Sequence, residues 1–161
     1  MGPLTSDIPE GSRVLLDSVS IVYYIEHNPR YDAAASEIMH RVYGGDLSAV
    51  ASVLTMTEIL ISAYKIGDIR TARQVRSALE RMPNLELVDV DAIIADRAAE
   101  LRAKHNLRTP DAIHVATALE SGMDWIVSND RRLRRVEAEG IRVWLFDDHL
   151  DDGTAASSSD T

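Results

Sequence analysis

Apolar residues along this chain recur with two different periods, and their alternation lays out the fold. A short apolar run lies at Arg13–Leu16, and short, mainly apolar segments lie at Leu47–Ala51, Leu85–Val88, Trp125–Ser128 and Arg142–Leu145. Segments this short, bounded by Gly, Pro, Asn or Asp, read as strands, the first of them buried on both faces. Between them the apolar positions return every three or four residues, as helices do. Ile21, Tyr24 and Ile25 mark a helix after the first strand, and further helices are predicted over Tyr31–Tyr43, Leu54–Tyr64, Asp68–Met82, Asp91–His105 and Arg131–Ala138. Gly44-Gly45, Gly67, Pro83, Gly122 and Gly140 stand at helix ends, where these residues stop a helix. Strands alternating with helices imply a three-layer α/β/α fold with a mostly parallel central sheet of four or five strands.

The pattern is densest in TPDAIHVATAL, Thr109 to Leu119. Thr109 is expected to be the N-cap of a helix, with Pro110 in its first turn. Ala112, Val115, Ala116 and Leu119 fall at i, i+3, i+4 and i+7, a stripe of small residues that can sit close against a sheet. Asp111 lies beside that stripe in the first turn. Taken alone it is a carboxylate favoured by the helix dipole, worth ~0.3–1 kcal/mol.

Residues 1–12 hold Pro3, Pro9 and Gly11 and show no periodicity, so they are expected to form a loose leader to a domain over 13–147. Residues 148–161, rich in Asp, Ser, Gly and Ala, are expected to be a disordered tail. A length of 161 residues, 45% hydrophobic, suits one water-soluble domain with a real core. No apolar run approaches the length of a membrane span, and no basic-then-apolar start suggests export, so a cytoplasmic location is expected. The chain has no cysteine, so a metal site here must use oxygen or imidazole ligands.

A net charge of −9 argues at first against nucleic acid. Five aspartates, however, lie in residues 147–161 with no Lys or Arg, and removing them leaves −4. Four of the remaining acids fall at telling places. Asp17 ends the first strand, Asp130 follows the fourth by two residues, Glu58 lies early in the helix after the second strand, and Asp111 opens its helix. In open parallel sheets that edge is where ligands bind. Four like charges converging there imply hard divalent cations, Mg2+ or Mn2+, which activate water and brace a phosphodiester. Each acid has a plainer reading too: Asp17 as a turn residue, Glu58 as a solvated helix charge.

TPDAIHVATAL followed by VSNDRRL (127–133) resembles the C-terminal half of a PIN-domain ribonuclease, of the VapC-type toxins of toxin–antitoxin pairs. LLDSVSIVYYIE (15–26) and SVLTMTEIL (52–60) resemble the family's two other acidic segments. The resemblance runs from about Arg13 to Leu145. It implies hydrolysis of RNA by metal-activated water, with Asp17 and Asp111 as main metal ligands and Glu58 and Asp130 completing the acid set. It also implies an antitoxin partner and a homodimer. One position departs from the pattern: the small polar residue usual two places after the first aspartate is here Val19, and Ser18 or Ser20 is left to supply its hydrogen bond. Ser52 and Asn129 could hydrogen-bond carboxylates or a phosphate. His114, one turn from Asp111, is more often a satisfied core group than a catalyst, and Thr117 a packing hydroxyl. Arg131, Arg134 and Arg135 form either an RNA-holding edge or a solvated face balancing Glu137 and Glu139. Tyr23 and Tyr24 read better as core than as base-stacking platforms. Two other functions fit the same residues: an RNA-processing nuclease without an antitoxin, and a non-catalytic RNA- or protein-binding adaptor.

Overall fold

The computed structural model of the protein describes residues 2–150. Its elements, in chain order, are β1 (Arg13–Leu16), α1 (Ser18–Ile25), α2 (Asp32–Tyr43), β2 (Ser48–Ser52), α3 (Val53–Lys65), α4 (Ile69–Arg81), β3 (Leu85–Val88), α5 (Ala92–His105), α6 (Thr109–Glu120), β4 (Trp125–Ser128) and β5 (Arg142–Leu145). The five strands form one wholly parallel sheet in the order β3-β2-β1-β4-β5. The reason is burial on both faces. Val14 and Leu16 of β1 pack into one core with α1 and α2, while Leu15 between them packs into the other with α5 and α6. The apolar run of β1 is thus the period-2 pattern with both faces covered.

In the stripe of α6, Ala112, Val115 and Ala116 are fully buried and Leu119 partly so, and the helix packs on β1, β2 and β4. Its start differs from expectation. Arg108 is the N-cap, and Thr109 lies inside the first turn, its hydroxyl accepting from the Arg102 guanidinium. The predicted helix over Arg131–Ala138 is a 3₁₀ helix, Arg131–Glu139. Its buried residues Leu133 and Val136 are three apart, the 3₁₀ period.

Residues 2–12 are not a loose leader. The backbone N–H and hydroxyl of Thr5 donate to Glu37 of α2, Arg41 donates to the Thr5 and Ile8 carbonyls, and Ile8 is buried in the core. Part of the expected tail is also folded. Phe146–His149 makes a 3₁₀ turn, the His149 ring stacks on Trp144, and Asp148 pairs with Arg131 and Arg134. Residues 151–161, the rest of the expected tail, lie outside the described residues. Among the described residues no helix is long and apolar enough to cross a membrane.

Candidate active site

The strand order reverses direction between β1 and β4, so their carboxyl ends part there and leave a crevice. A cleft of about 470 Å³ opens at that place, and Asp17, Glu58, Asp111 and Asp130 all line it. The acids come from the ends of β1 and β4, the second turn of α3 and the first turn of α6.

Asp17 is buried at the end of β1 and doubles as the N-cap of α1, its Oδ1 accepting from the backbone N–H of Ser20 at 3.1 Å. The Ser20 hydroxyl lies 2.9 Å from the same oxygen and 2.9 Å from the Val127 carbonyl. Ser20 therefore supplies the hydrogen bond that Val19 cannot. Burial pushes the Asp17 carboxyl above its ordinary range, against the opposing pull of the Ser128 and Ser20 hydrogen bonds and of nearby His114. Among the described residues Asp17 has no basic hydrogen-bond or ion-pair partner.

The other three acids are each held by a base. Glu58 Oε1 lies 2.7 Å from His114 Nε2, and its Oε2 accepts from the Ser18 hydroxyl at 3.2 Å. A carboxylate only accepts, so His114 carries its proton on Nε2. The hydrogen bond from His114 holds the Glu58 carboxyl below its ordinary range, against the opposing effect of burial. His114 itself is buried, and its Nδ1 has no hydrogen-bond partner among the described residues. Asp111 Oδ2 accepts from Arg108 Nε at 3.0 Å. Asp130 caps the 3₁₀ helix and accepts from both Nε and Nη2 of Arg132, which lowers its pKa.

The expected convergence of four unpaired charges is thus modified. The acids share one cleft, but three have partners within the chain, and among the described residues no three acids or histidines are grouped to hold an ion as they stand. The donor set still fits a hard divalent cation: every ligand is a carboxylate oxygen, Asp17 has no counter-charge, and the two arginines are mostly exposed and able to turn away.

The remaining expected residues separate. Ser52 caps α3 by accepting from the Leu54 N–H and does not line the cleft. Asn129 lines it but is already committed, donating to the Tyr23 hydroxyl and accepting from the Asp147 N–H. Thr117 donates to the Ile113 carbonyl within its own helix. Tyr23 stacks on Tyr31 at 4.4 Å between ring centroids and meets Phe146 edge-on. Of the three arginines, Arg131 lines the cleft, Arg134 pairs with Asp148 and Glu137, and Arg135 donates to the His105 carbonyl. A 3₁₀ helix turns every three residues, so the i, i+3, i+4 spacing does not put them on one edge. Arg108, Arg132 and Asp147 were not anticipated. The Arg108–Asp111 spacing of i, i+3 was a readable signal for the first of them.

The model of the PIN domain family matches residues 14–139. No curated protein matches the sequence. Among solved structures, the chain is similar to VapBC2 of Rickettsia felis bound to a DNA fragment from their promoter, at 15% identity and a TM-score of 0.64, over 86% of this chain and 99% of that one. It is similar to DNA-bound VapBC of Salmonella typhimurium at 19% identity and a TM-score of 0.64, over 84% and 98%. It is also similar to VapC20 of Mycobacterium tuberculosis, described as a sarcin-ricin loop cleaving toxin, at 14% identity and a TM-score of 0.56, over 70% and 86%. At such identities the likeness is one of fold. With a family match spanning most of the chain, four carboxylates at the sheet's switch point and the parallel β3-β2-β1-β4-β5 order, this chain belongs to the PIN domain family.

Proposed function

We propose that the protein is a divalent-metal-dependent endoribonuclease, acting in the cytoplasm as the toxin of a toxin–antitoxin pair. The observation that carries this reading is the shared cleft of Asp17, Glu58, Asp111 and Asp130, with Asp17 buried and without a basic partner. Asp17 and Asp111 are the main ligands for Mg2+ or Mn2+, with Glu58 and Asp130 beside them. When bound, the ion neutralises charge on a phosphodiester and makes water more acidic.

The chain's own residues do the rest. Ser20 fixes the Asp17 carboxylate, and Ser18 and His114 fix Glu58 from two sides. Held in this way, Glu58 can accept a proton from an attacking water, and His114 Nε2–H stabilises the charge arrangement. Asn129 does not touch the acids; by tying Tyr23 to Asp147 it holds the cleft wall. Arg131, at the cleft edge, is placed to meet an RNA phosphate, with Arg134 behind it.

The partners follow from surface chemistry. An apolar groove lined by Val22, Ile25, Ile59, Leu60, Ile66 and Val75 lies beside the cleft and shares Glu58 with it, which supports a protein partner such as an antitoxin. Ile61, Tyr64, Ile66 and Ile69 are exposed on α3 and α4 and around their turn, a surface suited to a second copy in a homodimer. The test is cleavage of a structured RNA by the purified protein. Cleavage with Mg2+ or Mn2+, abolished by chelator and by Asp111→Asn, is expected. An Asp111→Asn variant that cleaves as well as the parent would overturn the reading.

A further inference from the structure

Two of the cleft's acids are paired with arginines. Arg108, the last residue before α6, grips Asp111, and Arg132 of the 3₁₀ helix grips Asp130 through both oxygens. The two members of each pair differ sharply in how they are held. The Asp111 and Asp130 side chains are 19% and 26% exposed, whereas those of Arg108 and Arg132 are 66% and 51% exposed. The carboxylates are largely enclosed, and the guanidiniums reach them from solvent.

A guanidinium bonded in this way occupies the oxygen lone pairs that a hard cation needs. Its hold is weak, because an ion pair at a wet rim gains little against the side-chain entropy it costs. Surface pairs of this kind are usually incidental, but these two fall on two of the four acids of one cleft, and Arg108 itself lines that cleft.

We propose that Arg108 and Arg132 are exchangeable internal counter-ions of the site. They neutralise Asp111 and Asp130 in the metal-free protein and yield those oxygens to a divalent cation. Once displaced, Arg108 stands at the cleft wall and binds a phosphate of single-stranded RNA. The inference rests on the metal-dependent reading above. It explains how a chain can fold with four carboxylates around one cleft before metal arrives: three are already matched, and only Asp17 is buried without a base. It also assigns substrate binding to a residue outside the 131–135 arginine run.

Arg108→Met and Arg132→Met keep the aliphatic stem and remove the charge and its donors. Each should bind Mn2+ more tightly, with the half-maximal rise in melting temperature reached at roughly fivefold lower Mn2+, and lower still in the double variant. Arg108→Lys should return toward the parent. Binding of a short single-stranded RNA, followed by fluorescence anisotropy in Ca2+ with the RNA confirmed intact on a gel, should move oppositely and weaken several-fold in Arg108→Met. A merely structural arginine would not tighten metal binding and loosen RNA binding together. If Mn2+ stabilises the parent and both single variants at the same concentrations, the counter-ion role is overturned while the metal site stands. If neither Mn2+ nor Mg2+ stabilises the parent, the metal reading itself falls, and this inference with it. Should Arg132→Met fail to fold, Arg108→Met and Arg108→Lys decide the matter alone.

Discussion

Asp17 and Glu139 are both nearly buried carboxylates, and the chain treats them in opposite ways. Glu139, at the end of the 3₁₀ helix, is met by Lys104 at 2.7 Å, His105 at 2.9 Å and Arg97 at 3.4 Å. Those contacts, led by the hydrogen bonds from Lys104 and His105, hold its pKa down to about 2. Asp17 receives only serine and backbone hydrogen bonds, and burial pushes its carboxyl up. Glu139 ties the 3₁₀ helix to α5 with its charge fully matched, as a structural carboxylate should be. The contrast teaches that missing compensation at Asp17 is a property of that place and not of the chain. A buried carboxylate without a base is costly unless a cation is to be received there.

The sharpest way to break the contrast is Asp17→Asn. It should lower RNA cleavage at least about a hundredfold, because losing one carboxylate misplaces both ion and water. Gel assays at fixed Mg2+ measure this. Glu139→Gln should do the reverse, keeping cleavage while costing about 1–2 kcal/mol in urea unfolding, since it weakens charge-assisted bonds to three bases.

The pH dependence separates the same two residues with opposite signs. The Glu139 pKa is depressed, so its contribution is fully present above the ordinary value of 4.5 and is lost as pH falls toward about 2. The parent's advantage over Glu139→Gln should therefore shrink across that window. The Asp17 pKa is raised, so its ionisation costs the metal-free protein stability as pH climbs above the ordinary 3.8. Urea unfolding in chelator should show that slope in the parent and not in Asp17→Asn.

Ser20→Ala sharpens the contrast more gently. It removes the hydroxyl shared by Asp17 and the Val127 carbonyl, should cost about 1 kcal/mol, and should raise the Mn2+ needed for half-maximal stabilisation. Smallest of all, Arg135→Ala loses one exposed bond to the His105 carbonyl and should change stability by no more than ~0.5 kcal/mol, with cleavage intact.

The central strands were legible because a sheet covered on both faces leaves apolar runs, and β1, β4 and β5 sit where those runs do, while β3, interrupted by the exposed Glu86, sits where its mainly apolar segment does. β2 begins one residue later than its run, at Ser48, with Leu47 buried just before it. The four acids were legible from their places relative to strand and helix ends, since parallel topology sends all such ends to one edge. Long-range pairings left no trace. Thr5 meets Glu37 across 32 residues, so the N-terminal segment looked loose, and Asp147 reaches the cleft only because β5 lies beside β4. Of Arg131, Arg134 and Arg135, the first two share an edge and both pair with Asp148, while Arg135 turns to the His105 carbonyl, because the segment winds as a 3₁₀ helix and not an α-helix.

The most direct test of the cation-receiving cleft is a pair of thermal melts on the parent and Asp17→Asn, each with chelator and with Mn2+. Bound metal stabilises by RT ln(1 + [L]/Kd), about 2.7 kcal/mol at a hundredfold excess over Kd. The parent should show that rise. Asp17→Asn should be at least as stable as the parent in chelator, because a buried uncompensated charge is gone, and should lose most of the response to Mn2+. A variant that is less stable in chelator yet keeps the parent's full Mn2+ shift would contradict the account.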